Sequence, residues 1–427
     1  MKRTIQVDYL ARVEGEGALS LTWDGQELSE VALSIFEPPR FFEAFLVGRS
    51  CMEVADITAR ICGICPVAYQ MSACRAIEDA LGVELPAALH QLRRVLYCGE
   101  WIESHVLHMA LLHTPDFFGV DDAMEVAKQH SAQIRAALAV KKAGNGIVGT
   151  LGGREIHPIN VKPGGFWRLP RKSEVRSVID SLVAQRAHME DLLRWMGGFD
   201  FPDLHRPHTL VCLDNGVTYP FMEGRVISSE GLDVSVQEWP QHFAEQHVER
   251  SNALHATLHG GTYLTGPMAR FNLCFDRLPE SLKRLAVELG IEPPVTNPFR
   301  SLLVRGIEVL LAMDETISLL SGWKAPDVAA VPLEYRVGLG HGASEAPRGL
   351  LYHRYALDED GRVTAATIVP PTSQNQRAME ADLRALGPQL RDLDQAEATR
   401  LAEQAIRNHD PCISCATHFL TLDRTHR

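Results

Sequence analysis

Four cysteines constrain this chain more than any other feature. They form two Cys-x-x-Cys pairs, Cys62/Cys65 in ARICGICP and Cys412/Cys415 in DPCISCATH, about 350 residues apart. Each turn sets two sulfurs close enough to chelate one metal. Thiolates are soft ligands and suit zinc, copper, iron–sulfur clusters or a thiolate-rich nickel site. A site that uses both pairs must tie the two ends of a large fold together. Structural zinc sites usually hold their pairs within ~15–20 residues of each other, so the spacing speaks against zinc without excluding it. A thioredoxin-like redox pair needs a βαβ setting, which surrounds neither motif. The remaining five of nine cysteines read as buried free thiols, and the odd count argues against a disulfide framework.

The rest of the chain is that of a globular protein. Of 427 residues, 45% are hydrophobic and 22% charged, which excludes disordered and coiled-coil classes. The net charge of −12 points away from nucleic acid, whose phosphates need clustered Lys and Arg. The most apolar run, 302–320, is interrupted by Arg305, Glu308, Asp314 and Glu315. The first ten residues carry Lys2, Arg3 and Asp8 and no apolar core. The expectation is a cytoplasmic chain with no direct membrane insertion.

Helical periodicity covers 66–81, 89–112, 123–148, 172–195, 279–289, 298–321 and 378–407. Alternating patterns around Asp24–Gly25, over 200–245 and around Asp360–Gly361 predict short strands. The expected fold is mostly α (α+β), a large helical-bundle core with small peripheral β elements in one domain over 1–418. No GxxxxGK[ST] occurs, and GLGHGASEAPRG lacks the GxGxxG spacing, so no nucleotide fold is predicted.

The flanks of the cysteine pairs add specificity. Arg60 to Cys65 reads RxCGxC, and Asp410 to His418 reads DPCxxCxxH. Upstream lies Arg12-Val-Glu14-Gly15, and late in the chain come Glu345-Ala-Pro347-Arg348-Gly349 and Pro371-Thr372-Ser373-Gln374-Asn375. In this order the motifs resemble the large, catalytic subunit of nickel–iron hydrogenases, over nearly the whole chain. ARVEGEGAL, SHVLHMALLH and GGREIHPINV are most similar to the soluble, multisubunit, NAD(P)-linked (sulfhydrogenase-type) group. Glu16 departs from many membrane-bound and periplasmic relatives, which have His there.

The resemblance implies reversible splitting of H2 at a nickel–iron centre. Cys62 and Cys412 would bind nickel terminally, and Cys65 and Cys415 would bridge nickel and iron. Carbon monoxide and cyanide would complete the iron's shell. Arg348 would overhang the open side of the metals, anchored by Asp410 and Asp116. Glu14 would relay protons from a nickel thiolate; without the motif it reads as an exposed turn glutamate. Thr372 would hydrogen-bond a cyanide, or else serve as a turn hydroxyl, and Pro347 would line the same pocket. Glu43, His418 and the Ile368 carbonyl would hold magnesium. His105, His108, His113 and His157 are either groups surrounding the cluster or satisfied core histidines.

FLTLDRTHR, residues 419–427, would be a processing peptide removed by an endopeptidase after maturation chaperones deliver the metals, or else a frayed terminus. Electrons need clusters that this chain lacks. The implied partners are an iron–sulfur small subunit and a flavin/NAD(P) diaphorase module. Three rivals stay open from sequence: a membrane-linked energy-converting hydrogenase, a non-catalytic complex I-like scaffold, and a structural zinc protein.

Overall fold

A computed structural model describes residues 2–417. His418 and the 419–427 peptide therefore lie outside the described residues. The protein is 50% helical and 20% strand, the mostly α class expected.

Four long helices, Ala87–Val106, Ala123–Gly152, Lys172–Gly197 and Ser301–Gly322, pack in a ring in which each touches two others. The Ser301–Gly322 helix is buried at every position from Ser301 to Met313, including Arg305 and Glu308. That explains its apolar run: it is the bundle's interior helix. Among the described residues no helix is long and apolar enough to cross a membrane.

Several elements differ from expectation. The 89–112 helix does not run on as a regular α-helix. It changes at Leu107–His113 into a π-helical stretch, then resumes over Thr114–Phe118. A π turn spaces residues i and i+5 above one another, so His108 and His113 stack, with ring centroids 5.2 Å apart. The expected 378–407 helix is two helices, Pro371–Asp392 and Gln395–Arg407. Asp394 caps the second by accepting from the Glu397 amide at 2.8 Å, a stop-and-start signal that apolar periodicity does not carry. The first begins seven residues early because Pro371 sits at its first turn, where a missing N–H costs nothing.

The glycine-rich GLGHGASEA is a strand, Gly338–Ala346. It leads an antiparallel sheet with Gly349–Leu357 and Val363–Val369. Helix Pro66–Leu81 lies directly on it. A Cβ on Gly338, Gly340 or Gly342 would meet the carbonyl oxygens of Ala80, Ala76 and Ser72 at 2.4, 1.9 and 2.3 Å. Two strand residues span about 6.8 Å and four helix residues about 6.0 Å, so the two spacings nearly coincide. The glycines are a groove for a helix backbone, and that groove fixes the helix that begins at Cys65.

The N-terminal sheet, Lys2–Val7, Gly17–Asp24 and Glu27–Ile35, packs on helices Pro371–Asp392 and Gln395–Arg407 around a second apolar core. That packing brings the Leu10–Glu16 loop beside the C-terminal segment. A further hairpin pairs Phe243–Val248 with Ser251–Leu258 and runs past the 200–245 stretch in which strands are expected.

Candidate metal centre

The two cysteine pairs converge. All four sulfurs lie within 4.8 Å of one another, and all four residues are buried. Cys62 Sγ is 3.2 Å from Cys412 Sγ, and Cys65 Sγ is 3.4 Å from Cys415 Sγ. Cys65 is the residue before Pro66, at the N-terminus of its helix. The helix N-terminus favours negative charge there. Behind it the fully buried Glu100 accepts from the Val67 and Ala68 amides at 2.6 and 3.0 Å. This cap had no signal in the sequence, because Glu100 belongs to another helix.

Burial pushes the Cys412 and Cys415 thiols upward, while hydrogen bonds from Cys412 and Cys415 hold Cys62 below the usual thiol range. Four soft donors held this close cannot all carry charge without a cation. The donor set therefore fits a thiophilic metal centre.

Arg40 joins the two loops. Its Nη2 donates to the Ile61 carbonyl at 2.7 Å and to the Ser414 carbonyl, and its own amide donates to Thr417 at 2.7 Å. One guanidinium thus grips the residue before Cys62 and the residue before Cys415. His157 braces the first loop through Ala59, with Nδ1 2.7 Å from the carbonyl oxygen.

Glu14 reaches the same place from the N-terminal loop. Its Oε2 accepts from the Ser414 amide at 3.0 Å and lies 3.2 Å from Cys412 Sγ. Its carbonyl accepts from Ile413 at 2.8 Å. Burial, helped by the nearby Cys62 sulfur, raises its carboxyl pKa. Thr372 Oγ1 accepts from the Cys412 amide at 3.0 Å, which leaves its hydroxyl proton to donate elsewhere.

Arg348 projects from the turn between strands Gly338–Ala346 and Gly349–Leu357. The turn closes against Thr265–Gly266, and Gly349 (φ 137°) leaves no room for a Cβ there. The guanidinium bonds Asp410 twice, Nε to the backbone oxygen at 2.7 Å and Nη2 to Oδ1 at 3.0 Å. Asp410 itself is held at φ 52°. Its second oxygen faces Arg305 at 3.6 Å. The Pro347 carbonyl accepts from Arg270 at 3.3 Å and from Arg305 at 3.4 Å. Arg270 is fully buried, bidentate to Glu308 at 2.8 Å and paired with Glu345 at 3.0 Å.

Asp116 does not join Asp410 in holding Arg348. It pairs instead with Arg12 at 2.6 Å and with Arg407 at 2.8 and 2.7 Å, with His113 Nδ1 at 3.1 Å. The π-helical stretch sets where Asp116 falls and turns it toward the chain termini. Burial raises its pKa, but the His113 and Arg407 contacts outweigh that and hold the carboxyl well below the usual range.

His105 Nε2 is 3.0 Å from Glu308. His108 Nε2 is 2.7 Å from the Arg407 carbonyl, and His113 Nε2 is 3.0 Å from Asn408 Oδ1. All three are packed in the core; His113 uses both ring nitrogens, whereas His108 Nδ1 is buried without a hydrogen-bond partner.

Glu43 lies away from the sulfurs. Its Oε1 accepts from the Ile368 amide at 2.6 Å. Burial pushes its carboxyl up to about 7, and burial plus Glu43 itself pushes Glu245 up to about 8. Burial thus makes both carboxyls reluctant to ionise. Glu245 had no sequence signal, since it lies in a polar strand 200 residues from Glu43.

These motifs and this fold recur in known proteins. The sequence profile of the nickel-dependent hydrogenase family matches residues 40–151. Over 98% of this chain and 100% of its relative, the sequence is 32% identical to the sulfhydrogenase 2 alpha subunit of Pyrococcus furiosus. The chain belongs to the nickel-dependent hydrogenase family as its large, catalytic subunit, an oxidoreductase. It is also 27% identical to the beta subunit of the NAD-reducing hydrogenase HoxS of Cupriavidus necator, over 98% of this chain and 96% of that subunit. A solved NAD+-reducing [NiFe]-hydrogenase in its H2-reduced state superposes with a TM-score of 0.87 at 26% identity, covering 97% of this chain and 99% of the other.

Proposed function

We propose that this subunit interconverts H2 with protons and electrons in a multisubunit, cytoplasmic enzyme linked to NAD(P). The observation that carries the reading is the convergence of four sulfurs from opposite ends of the chain beneath a buried, carboxylate-anchored guanidinium.

Cys62, Cys65, Cys412 and Cys415 would hold nickel, with iron shared by Cys65 and Cys415 and completed by carbon monoxide and cyanide. When bound, such a centre supplies the Lewis acid that heterolytic cleavage of H2 requires. The chain supplies the rest. Arg348 stays charged and orients rather than accepts protons. Glu14, within 3.2 Å of Cys412 Sγ, takes a proton from sulfur and hands it on. Thr372 and Pro347 shape the pocket for the diatomic ligands. Glu43 and the Ile368 carbonyl would hold magnesium together with His418.

The partners we propose are an iron–sulfur small subunit and flavin/NAD(P) diaphorase subunits. Gly63, in the first cysteine loop, is exposed. Ile156 lies next to it at 61% exposure, and Ile159 and Trp167 are also more than half exposed. Apolar surface next to the metal loop suits the small subunit that must collect electrons there. Residues 1–418 would act as one catalytic domain. The 419–427 peptide would be removed by an endopeptidase once chaperones have loaded the metals.

Metal analysis of the protein purified from its host, without added metal, tests the reading. Nickel near one per chain with iron is expected, and lost in Cys65→Ser. Zinc at one per chain without nickel would overturn it.

A further inference from the structure

A second site lies at the other end of the helix that starts beside Cys65. A cavity of about 500 Å³ opens between the last turns of Pro66–Leu81 and the 222–237 segment. Arg75, in its wall, stands ten residues or roughly 15 Å along the helix from Cys65. No hydrogen bond or ion pair joins the Arg75 guanidinium to any described residue, and its Nε is shielded from solvent. Burial lowers the pKa of this group. A guanidinium carries five donors and cannot shed its charge, so one that is half-buried with a shielded Nε and no hydrogen-bonded partner is open to an anionic ligand.

The carboxylates around it lend Arg75 some counter-charge, but each makes its hydrogen bonds elsewhere. Glu78 is bidentate to Arg93 at 2.8 and 2.6 Å and also accepts from the Gly164 amide at 2.7 Å. Asp79 accepts from the His341 amide at 2.8 Å and from Gln237 at 3.2 Å. Glu223 pairs with His90, and Arg225 with Asp233. Glu84 is exposed at the rim, where water screens it. A second donor in the wall, Arg93 Nε, is also buried without an acceptor. Met71, Val83, Leu85 and Met222 give the wall one apolar portion, and Ser235, Gln237 and His341 are among its polar groups.

We propose that this cavity binds a small organic oxyanion, with a carboxylate or phosphate head on Arg75 and an apolar body against the two methionines. The volume suits a metabolite rather than a bare ion. Charge-assisted bidentate bonds to a guanidinium would give the head its affinity. The site uses none of the groups assigned to hydrogen chemistry.

Thermal unfolding of the purified multisubunit enzyme tests it, with butyrate and inorganic phosphate as probes against chloride at equal ionic strength. A saturable rise in midpoint with butyrate marks a carboxylate site, and one with phosphate marks a phosphate site. Arg75→Gln should weaken the effective probe by about 10-fold or more, with hydrogen uptake in its absence unchanged. Arg75→Lys, which keeps the charge and loses the fork, should weaken it less, and serves if the Gln variant does not fold. No probe effect on the wild type overturns the proposal, as does an equal effect on the variants. So does binding to the isolated chain but not to the assembled enzyme, because a partner's carboxylate then occupies Arg75.

Discussion

At the scale of single residues, the decisive groups are those that join segments far apart in sequence. Arg40 grips both cysteine loops through one nitrogen. Arg40→Met should leave most of the fold intact but cut nickel per chain several-fold, read by metal analysis, because two loops lose their shared donor. Asp116 clamps Arg12, two residues before Glu14, to Arg407, five residues before Cys412. Asp116→Asn strips the counter-charge from two guanidinium groups. Unfolding in denaturant should show a loss of about 3 kcal/mol, and an unchanged midpoint would refute the clamp. His105 is buried neutral, held down to about 4 by burial against the opposing pull of Glu308. Its folded pKa lies below the unfolded value of 6.5, so the unfolded state binds more protons between those values. Stability should therefore fall as pH drops from 6.5 to 4, by an amount on the order of 3 kcal/mol. His105→Gln should flatten that slope in a pH series of unfolding curves.

At the scale of elements, the site depends on how closely a helix can approach a sheet. Strand Gly338–Ala346 offers three glycines to the backbone of Pro66–Leu81. Gly340→Ala would place a Cβ 1.9 Å from the Ala76 carbonyl oxygen, so the helix must lift. Overpacking of this kind costs about 1–3 kcal/mol, and the shift carries Cys65 with it. Calorimetry should show a lower midpoint, accompanied by lower nickel content. Gly146, whose added Cβ meets nothing within 4 Å, is the control: Gly146→Ala should not destabilise. The π-helical stretch matters in the same way, since one extra residue in the turn decides that Asp116 faces Arg12 and Arg407.

At the scale of the whole molecule, the metal centre would close a loop of about 350 residues. A ligand bound only by the folded state stabilises it by mass action. Metal-free protein should therefore melt several degrees below the loaded form, and limited proteolysis should cut first near the 408–417 segment. Equal midpoints for the two forms would show that Arg40, Glu14 and the Arg348–Asp410 pair already hold the termini together without metal.

The sequence by itself determined the chemistry and most of the elements. The two cysteine pairs, Glu14, Arg348 and Asp410 were legible because each sits in a short motif whose spacing reports its neighbours. The long helices were legible because burial on one face writes a period into the chain. What only the tertiary structure decided are the contacts between segments with no shared motif: Arg40 across both loops, Glu100 beneath the Cys65 helix, Arg270 with Glu308, and the diversion of Asp116 from Arg348 to Arg12 and Arg407. Each of these depends on where two distant backbones come to rest. That is set by packing of whole faces, such as the glycine strand under its helix, and no local pattern of residues encodes it.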